Sequence, residues 1–325
     1  MSTSNKNQFS SADVKPTVSV IIPAYKVARF ISEALDSVFA QRFTDFEVIV
    51  INDGSPDTPY LEQQIAKYRG SIKYLSQPNR GAGAARNAGL RIARGEYVAF
   101  LDGDDVWLPD LLEGQLELIR SDGGYDLVYA NAINFGDSVS NSVTYMTHNP
   151  SHGEVTFKKL LCGECNVVTS TVVARREPII RIGCFDERFP NSQDFDLWLR
   201  LIKDANAKIT YQKKVLVRRR IYQGSLASDP IRSFSGELAV LSSVRRRIDL
   251  TAEEKNILED TARKRQCTIE ILKAKQHLAI RDFQTAAESF AAANRYEPSL
   301  KLGIVLFGMR IAPQVVRRIV RLTRS

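Results

Sequence analysis

The chain has 325 residues, 44% of them hydrophobic, and a formal net charge of +8. This length supplies a sizeable core in one large or two smaller domains, while no segment approaches the roughly 18 consecutive apolar residues that a membrane span requires. The positive charge indicates a phosphate-bearing partner, either nucleic acid or an anionic membrane surface, without choosing between them.

The first residues, MSTSNKNQFSSADVKP, are polar and lack the apolar region of a signal peptide. We expect residues 1–16 to form a disordered leader. Cys162 and Cys165 form a lone C-x-x-C pair, without the second pair that a structural zinc site needs. We therefore predict reduced thiols in a cytoplasmic protein, for which peripheral contact with the inner face of the membrane remains open.

Segments with strand and helix patterns alternate over the first 130 residues. The predicted strands are residues 17–25, 46–53, 71–77, 96–102 and 125–135. The predicted helices between them are residues 28–41, 58–69, 81–94 and 109–122. Such repeated units predict an α/β fold, with a mostly parallel sheet covered by helices on both faces.

Polar side chains gather where these strands end. Tyr25 and Asp53 end the first two strands, and Asp102, Asp104 and Asp105 end the fourth. Ligands of parallel sheets bind beyond the carboxyl ends of the strands. The pattern therefore predicts that residues 23–25, Asp53 and residues 102–105 line one crevice.

The second half of the chain is predicted less regularly. Residues 135–150 are polar and predict a loop over the crevice, residues 166–175 and 214–222 predict strands, and residues 192–204 predict a helix. Strand patterns stop near residue 229. Beyond it we predict a helical appendage at 231–300, with a capping box at Thr251 and Glu254, and a basic amphipathic tail at 301–325.

The segment GAGAARNAGL, residues 81–90, resembles a dinucleotide-binding glycine motif but fails as one, because its third glycine position is Arg86. The chain also lacks the P-loop pattern. What remains is a glycine-rich helix start with an arginine one turn in, which can approach a diphosphate. Close packing of this helix on a strand is the other interpretation of the glycines.

Asp102 and Asp104, separated by Gly103, are the sharpest chemical signal. Hard oxygen ligands of this kind suit Mg²⁺ or Mn²⁺, particularly when a substrate diphosphate completes the coordination. A cation would also remove the repulsion between the carboxylates. The other interpretation of the cluster is an acidic turn that caps the helix at 108–120, and Asp105 alone is interpreted as a residue that only orients the turn.

Two further segments carry charged groups with two interpretations each. Asp194 is either a helix N-cap or a general base near a diphosphate site, and Asp196 is expected to pair with Arg200 one helical turn later. The arginines at 218–220 either bind phosphate through their fork geometry or form a solvated strand edge.

The tail at 301–325 contains six basic residues and no acidic one, with apolar residues between them. This composition is typical of an interfacial helix on anionic lipid. Packing against protein is the alternative. Nucleic-acid binding is disfavoured, because no aromatic stacking platform or known nucleic-acid module accompanies the charge.

In its strand, glycine-rich and acidic segments, the chain resembles the family 2 glycosyltransferases, which have the Rossmann-like GT-A fold. The matching segments, in the family's order, are VSVIIPAYK (18–26), EVIVINDGSPD (47–57), NRGAGAARNAGL (79–90), GEYVAFLDGDDVW (95–107) and QDFDLWLRL (193–201). The resemblance covers residues 17–228 and implies a catalytic domain at 17–230. It implies sugar transfer, with inversion, from a nucleotide-sugar such as a UDP-, GDP- or dTDP-sugar to an acceptor hydroxyl.

The resemblance also implies roles for residues at the donor site. Asp53 would hold the nucleotide base, in a pocket lined by Pro23, Ala24 and Tyr25. Arg86 would approach the nucleotide or its diphosphate.

The remaining implied roles concern the metal and the reaction. Asp102 and Asp104 form the family's D-x-D motif, with Asp104 as the direct ligand of Mn²⁺ or Mg²⁺ and Asp102 beside it toward the donor. Asp194 occupies the position of the catalytic base. Where the family often has a histidine that helps to bind the diphosphate, this chain has Tyr222, which leaves more of that role to Arg220.

The sequence therefore predicts a metal-dependent inverting glycosyltransferase. Family habit and the basic tail suggest that it acts on a glycan or lipid-linked glycan in bacterial surface polysaccharide synthesis. Two alternatives are a sugar nucleotidyltransferase and a non-catalytic nucleotide-sugar binding module. The first lacks its signature loop after the first strand, and the intact Asp102, Asp104 and Asp194 argue against the second.

Overall fold

A computed structural model describes residues 15–137 and 143–322. The predicted leader at 1–16 therefore lies almost wholly outside the described residues, as does the middle of the predicted loop at 135–150. No helix in the described part of the chain combines the length and apolar character needed to cross a membrane.

Within those residues, the strands form one eight-stranded sheet. They are β1 (Val18–Ala24), β2 (Phe46–Asp53), β3 (Ile72–Gln77), β4 (Tyr97–Phe100), β5 (Val106–Trp107), β6 (Leu127–Gly136), β7 (Val173–Arg175) and β8 (Ile209–Ile221). Their order in the sheet is β3-β2-β1-β4-β7-β6-β8-β5. The strands from β3 to β4 pair in parallel, as do β6 and β8, whereas β7 and β5 pair antiparallel with their neighbours.

Helices cover the sheet and continue to the C-terminus. The first eight are α1 (Ile31–Phe39), α2 (Thr58–Ile65), α3 (Ala82–Ile92), α4 (Leu111–Ile119), α5 (Tyr145–His148), α6 (Phe157–Cys162), α7 (Arg176–Arg181) and α8 (Gln193–Asp204). The C-terminal ones are α9 (Pro230–Arg247), α10 (Ala252–Ala279), α11 (Phe283–Tyr296), α12 (Leu300–Ile311) and α13 (Pro313–Leu322).

Successive residues of the central strands face two buried apolar layers, because side chains alternate across a sheet. Ile21 of β1 and Phe100 of β4 pack in the layer that includes α3 and α8. Ile22 and Ala99 pack in the opposite layer with α1 and α4. The predicted α/β architecture, with helices on both faces of the sheet, is thus confirmed.

Gly89 shows why α3 carries glycines. A Cβ atom at this position would lie 2.6 Å from Cγ2 of Ile21, so the helix approaches β1 more closely than any side chain permits. The close-packing interpretation of the glycine-rich segment therefore holds for Gly89. Gly81, in contrast, precedes the helix with a φ of 90°, a conformation that glycine adopts without strain.

The predicted strand at 166–175 is wrong over most of its length. Only Val173–Arg175 is a strand, and Thr169–Thr171 forms a 3₁₀ turn. The polar groups of this turn bind elsewhere: the Ser170 carbonyl accepts a hydrogen bond from Trp107 Nε1 at 2.7 Å. Hydrogen bonds from side chains thus take the place of the backbone hydrogen bonds that a neighbouring strand would make.

The C-terminal helices share a core with the sheet. Val240 and Val244 of α9 and Leu258 of α10 are buried in the apolar layer that contains Leu197 of α8. The capping box predicted at Thr251 and Glu254 is confirmed at the start of α10. The helical part is therefore packed onto the α/β part.

A buried ion-pair network joins the two parts. The Asp196 side chain of α8 is fully buried, and Arg200 Nε donates to its Oδ2 at 2.8 Å, as predicted. Arg247 of α9 pairs with the other oxygen of the same carboxylate. Because Arg200 is itself nearly buried, the carboxylate neutralises a charge that water cannot reach.

We predict that Asp196→Ala lowers the free energy of unfolding by about 3–5 kcal/mol, because it leaves the Arg200 guanidinium buried without its counter-ion. Denaturant titration followed by circular dichroism measures the change. Glu177→Ala is the matched control, because Glu177 forms an exposed pair with Arg181 at the same i, i+4 spacing. It should cost less than about 0.5 kcal/mol. Equal effects of the two substitutions would contradict the proposed importance of the buried pair.

Candidate active site

A cavity of about 280 Å³ lies beyond the end of β4. Its lining is rich in charge. The charged residues that line it are Asp102, Asp104, Asp105, Asp194, Glu237, Arg219, Arg220 and Arg265. The cavity thus brings together segments that are far apart in the sequence, and it includes both the predicted metal-binding pair and the predicted base.

The acidic turn is pressed against the end of β1. A Cβ atom at Gly103 would lie 3.1 Å from the Pro23 carbonyl oxygen and 2.9 Å from Cγ2 of Val27. Only glycine therefore fits between the two aspartates. The same packing holds Asp102 and Asp104 on either side of Gly103 at the edge of the sheet.

Asp105 has a structural role in this turn. Its carboxylate is buried and accepts hydrogen bonds from Ser170 Oγ at 2.6 Å and from the backbone N–H of Arg220 at 2.8 Å. Burial, together with the neighbouring aspartates, raises the pKa of Asp105 to about 8. Both oxygens bind within the protein, so Asp105 ties the turn to the 3₁₀ turn and to β8.

Asp104 lines the cavity, and within the described part of the chain its carboxylate forms no salt bridge. Burial, followed by the charge of Asp102, raises the pKa of Asp104 to about 6, although Tyr222 and Arg220 partly oppose the shift. Two hard carboxylates in one cavity fit a divalent cation. Among the described residues no three His, Cys, Asp or Glu side chains form a group that could hold a metal ion, so the two aspartates are not a complete metal site by themselves.

Arg86 lies beneath Asp102 and is 4% exposed. Its Nη2 donates to Asp102 Oδ1 at 2.6 Å, and its guanidinium lies 5.5 Å from the centre of the Phe185 ring. Its Nε and Nη1 are buried and have no hydrogen-bond acceptor in the protein. Buried donors without acceptors are costly, and an anionic ligand would satisfy them.

Asp53 organises the backbone between β3 and α3. Its Oδ2 accepts from the backbone N–H of Gly81 at 2.8 Å, and its Oδ1 accepts from Gln77 Nε2 at 2.8 Å and the backbone N–H of Arg80 at 3.0 Å. The side chain is buried. Asp53 therefore lies at the predicted edge of the sheet, where it fixes the loop that leads into the glycine-rich helix.

Residues 23–25 end β1 beside Asp53, because Ala24 pairs with Asn52 in the parallel register. Ala24 is fully buried, whereas Tyr25 is 42% exposed and presents its ring at the same edge. Pro23, Ala24, Tyr25, Asp53 and Arg86 all lie outside the lining of the cavity that contains Asp102 and Asp194.

Asp194 lies in the first turn of α8, which starts directly after Ser192 in the left-handed conformation. Its Oδ2 accepts from Thr169 Oγ1 at 2.6 Å, and its Oδ1 accepts from the backbone N–H of Phe195 at 2.9 Å. Each carboxylate oxygen retains a further lone-pair site. The carboxylate is thereby held in one orientation inside the cavity.

Arg220 and Tyr222 approach the acidic turn from the end of β8. Arg220 Nε donates to the Asp104 carbonyl at 2.8 Å, and its Nη2 pairs with Glu33 of α1. The Tyr222 hydroxyl lies beside the Asp104 carboxylate, and burial raises its pKa to about 12. Tyr222 is therefore a neutral hydrogen-bond donor, at the position where the family that the sequence resembles often has a histidine.

The sequence did not point to the residues on the far side of the cavity. Glu237 of α9 and Arg265 of α10 pair at 2.7 Å, and both line the cavity together with Tyr145 of α5. Burial raises the pKa of Glu237, and the charge of Asp194 adds to the shift, so the two carboxylates are neighbours. No local motif marks Glu237 or Arg265, because each lies on a helix of ordinary amphipathic pattern.

The sequence matches the family model described as Glycosyl transferase family 2 over residues 19–183. This range includes Asp102 and Asp104 and ends before Asp194. An uncharacterized glycosyltransferase of Rickettsia felis is 30% identical over 250 residues, which are 76% of this chain and 40% of that protein. The chain thus spans less than half the length of this relative.

Two relatives carry more specific names. The UDP-Glc:alpha-D-GlcNAc-diphosphoundecaprenol beta-1,3-glucosyltransferase WfgD of Escherichia coli is 29% identical over 69% of this chain and 85% of its own length. The amylovoran biosynthesis glycosyltransferase AmsB of Erwinia amylovora is 35% identical over 57% of this chain and 64% of its own length.

Solved structures share the fold. TarS residues 1–349 of S. aureus, in complex with UDP-GlcNAc, has a TM-score of 0.60 and 22% identity over 95% of this chain and 91% of that chain. The mannosyltransferase PcManGT of Pyrobaculum calidifontis, in complex with GDP-Man and Mn²⁺, has a TM-score of 0.61 and 19% identity over 95% and 88%. With a family match over half of its length and the GT-A fold predicted from its motifs, the chain belongs to glycosyl transferase family 2.

Proposed function

We propose that this chain transfers a sugar from a nucleoside-diphosphate sugar to a glycan hydroxyl, with inversion at the anomeric carbon, during bacterial surface polysaccharide synthesis. The observation that carries the proposal is the cavity that holds Asp194 together with Asp102 and Asp104. A general base and a pair of diphosphate-binding carboxylates in one cavity are what such a transfer requires.

The donor is proposed from the chemistry of the acidic turn and of Arg86. Arg86 lies outside the cavity lining but pairs with Asp102 inside it, so we propose that its charge supports an anionic group of the nucleotide from behind Asp102. The fold neighbours named above are complexes with UDP-GlcNAc and with GDP-Man, so a UDP- or GDP-sugar is the donor class that we propose.

We propose that Asp104 and Asp102 hold a divalent cation, Mn²⁺ or Mg²⁺, together with the donor. The mannosyltransferase neighbour contains Mn²⁺, and hard carboxylate oxygens are suitable ligands. When bound, the cation would neutralise charge that develops on the departing nucleoside diphosphate. Asp104 and Asp102 both line the cavity beside the proposed base, which supports this site.

Asp194 is proposed to act as the general base. Its carboxylate accepts the proton of the acceptor hydroxyl while the oxygen attacks the anomeric carbon, and the bond to the diphosphate breaks with its electron pair leaving on the nucleotide. Attack opposite the leaving group inverts the configuration. Thr169 and the Phe195 N–H orient the carboxylate, which leaves a lone pair for the incoming hydroxyl.

The acceptor is proposed to enter from the side of Glu237, Arg265 and Tyr145, because Asp102 and Asp104 take up the donor side of the cavity. Carboxylate and guanidinium groups suit the hydroxyls of a sugar. The name of WfgD specifies a glycan linked to diphosphoundecaprenol. We therefore propose a glycan or lipid-linked glycan as the acceptor class.

We predict that Asp194→Asn lowers kcat by roughly 10²–10⁴ and leaves the donor Kd nearly unchanged, because the amide cannot accept the proton in the transfer step. Turnover is measured by mass spectrometry of the glycan product, and donor binding by calorimetry. Asp122→Asn makes the same change at an exposed site and should keep full activity. Wild-type turnover in Asp194→Asn would remove this residue as the base.

We predict that chelation abolishes transfer and most of the thermal stabilisation that UDP or GDP gives in the presence of Mn²⁺. A ligand present at 100 times its Kd stabilises the folded state by about 2.7 kcal/mol, so loss of affinity lowers the melting temperature. The Asp104→Asn variant should show the same small shift with and without Mn²⁺, whereas Asp122→Asn should behave as wild type. A wild-type shift that is independent of metal would refute the role of the acidic pair.

A further inference from the structure

The helix α12 carries an unpartnered apolar stripe. Leu300, Ile304, Phe307 and Ile311 are 83, 63, 66 and 67% exposed, respectively. Their spacing of four, three and four residues places all of them on one face of the helix. Single exposed apolar residues are ordinary, but four large apolar side chains in one exposed row form a contiguous patch. Such a patch indicates an interaction surface.

The opposite face of α12 is already occupied. Leu302 and Met309 are buried in a small core with Phe290 of α11 and Leu278 of α10. This packing fixes the rotation of the helix about its axis. The exposed stripe therefore points away from the protein because the other side of α12 is held by α11.

Cations flank the stripe on both sides. At 3.6 residues per turn, Lys301 lies about 100° from Leu300 on one side, and Arg310 lies about 100° from Ile311 on the other. Both residues are exposed. Basic side chains along the edges of an apolar stripe are the arrangement of a helix that lies in a membrane interface.

The next helix continues this pattern. Val315 and Ile319 of α13 are 54 and 56% exposed, whereas Val316 is buried against α12. Val316, one of the apolar residues between the charges of the tail, therefore packs inside the protein and does not belong to the exposed face. After Glu297 the sequence contains no acidic residue. It contains six basic residues, Lys301, Arg310, Arg317, Arg318, Arg321 and Arg324.

We propose that the exposed face of α12 and α13 docks on an anionic phospholipid surface, with the stripe in the acyl boundary and the cations at the headgroups. A second copy of the chain is a poorer occupant, because pairing two stripes would bring the flanking cations of both copies together. The two helices have 12 and 10 residues, far fewer than the ~20 that span a bilayer, so they lie in the interface plane.

This inference does not depend on the reaction proposed above, and its test needs no sugar nucleotide. The full chain is mixed with vesicles of phosphatidylcholine containing 30% phosphatidylglycerol, or of phosphatidylcholine alone, and sedimented. We expect binding to the anionic vesicles, much weaker binding to the neutral ones, and loss of binding as salt is raised. Equal binding to both compositions, or none to either, would overturn the proposal.

Two variants separate the apolar and the charged contributions. The double substitution Ile304→Asp with Phe307→Asp should abolish sedimentation with anionic vesicles, while Lys301→Gln with Arg310→Gln should weaken it by about fivefold for each cation removed. Ile280→Asp is the control, because Ile280 is 74% exposed at the end of α10 and lies off the stripe. It should bind as wild type.

Circular dichroism melts of each variant should show that folding is retained, because all the substituted positions are exposed. Light scattering without vesicles tests the competing occupant. A wild-type dimer that Ile304→Asp with Phe307→Asp converts to a monomer would overturn the lipid proposal in favour of self-association, as would unchanged vesicle binding of that variant. A wild-type monomer whose vesicle binding is lost in the variant supports it.

Discussion

The repulsion between carboxylates at the end of β4 is the constraint around which this site is built. The protein resolves it differently for each residue. Asp105 is buried and tied by Ser170 and by the backbone of Arg220, and Asp102 is paired with Arg86. Asp104 is left with a raised pKa and no salt bridge in the described structure. We propose that a cation bound together with a diphosphate offsets the repulsion that remains between Asp102 and Asp104.

The rest of the molecule holds that turn and closes the space in front of it. Glycine-mediated packing sets the turn against β1, and the 3₁₀ turn at Thr169–Thr171 connects the acidic turn to the proposed base, because Ser170 binds Asp105 and Thr169 binds Asp194. The C-terminal helices then supply Glu237 and Arg265 to the same cavity. One apolar core continues from the sheet into α9 and α10. The packing of this core therefore fixes the positions of Glu237 and Arg265 at the cavity.

Local patterns sufficed to predict the positions of the strands from β1 to β4, the capping box at Thr251 and the pairing of Asp196 with Arg200, since each depends on neighbours within a few residues. The segment at 166–175 was mispredicted because its β-branched composition favours a strand, while hydrogen bonds to residues distant in the sequence make it a turn. The contribution of Glu237 and Arg265 was missed for the same reason: it exists only once α9 and α10 pack on α8. The buried pair of Asp196 with Arg247, which fixes that packing, is equally non-local.

We propose that Asp102 and Asp104 bind the metal–diphosphate part of a nucleotide-sugar in the cavity that contains Asp194. Anomalous diffraction from crystals grown with Mn²⁺ and a UDP- or GDP-sugar locates the cation directly. We predict one strong manganese peak within coordination distance of an Asp104 carboxylate oxygen, with the diphosphate as its further ligand. A bound donor with no manganese at the acidic turn, or with its diphosphate outside this cavity, would contradict it.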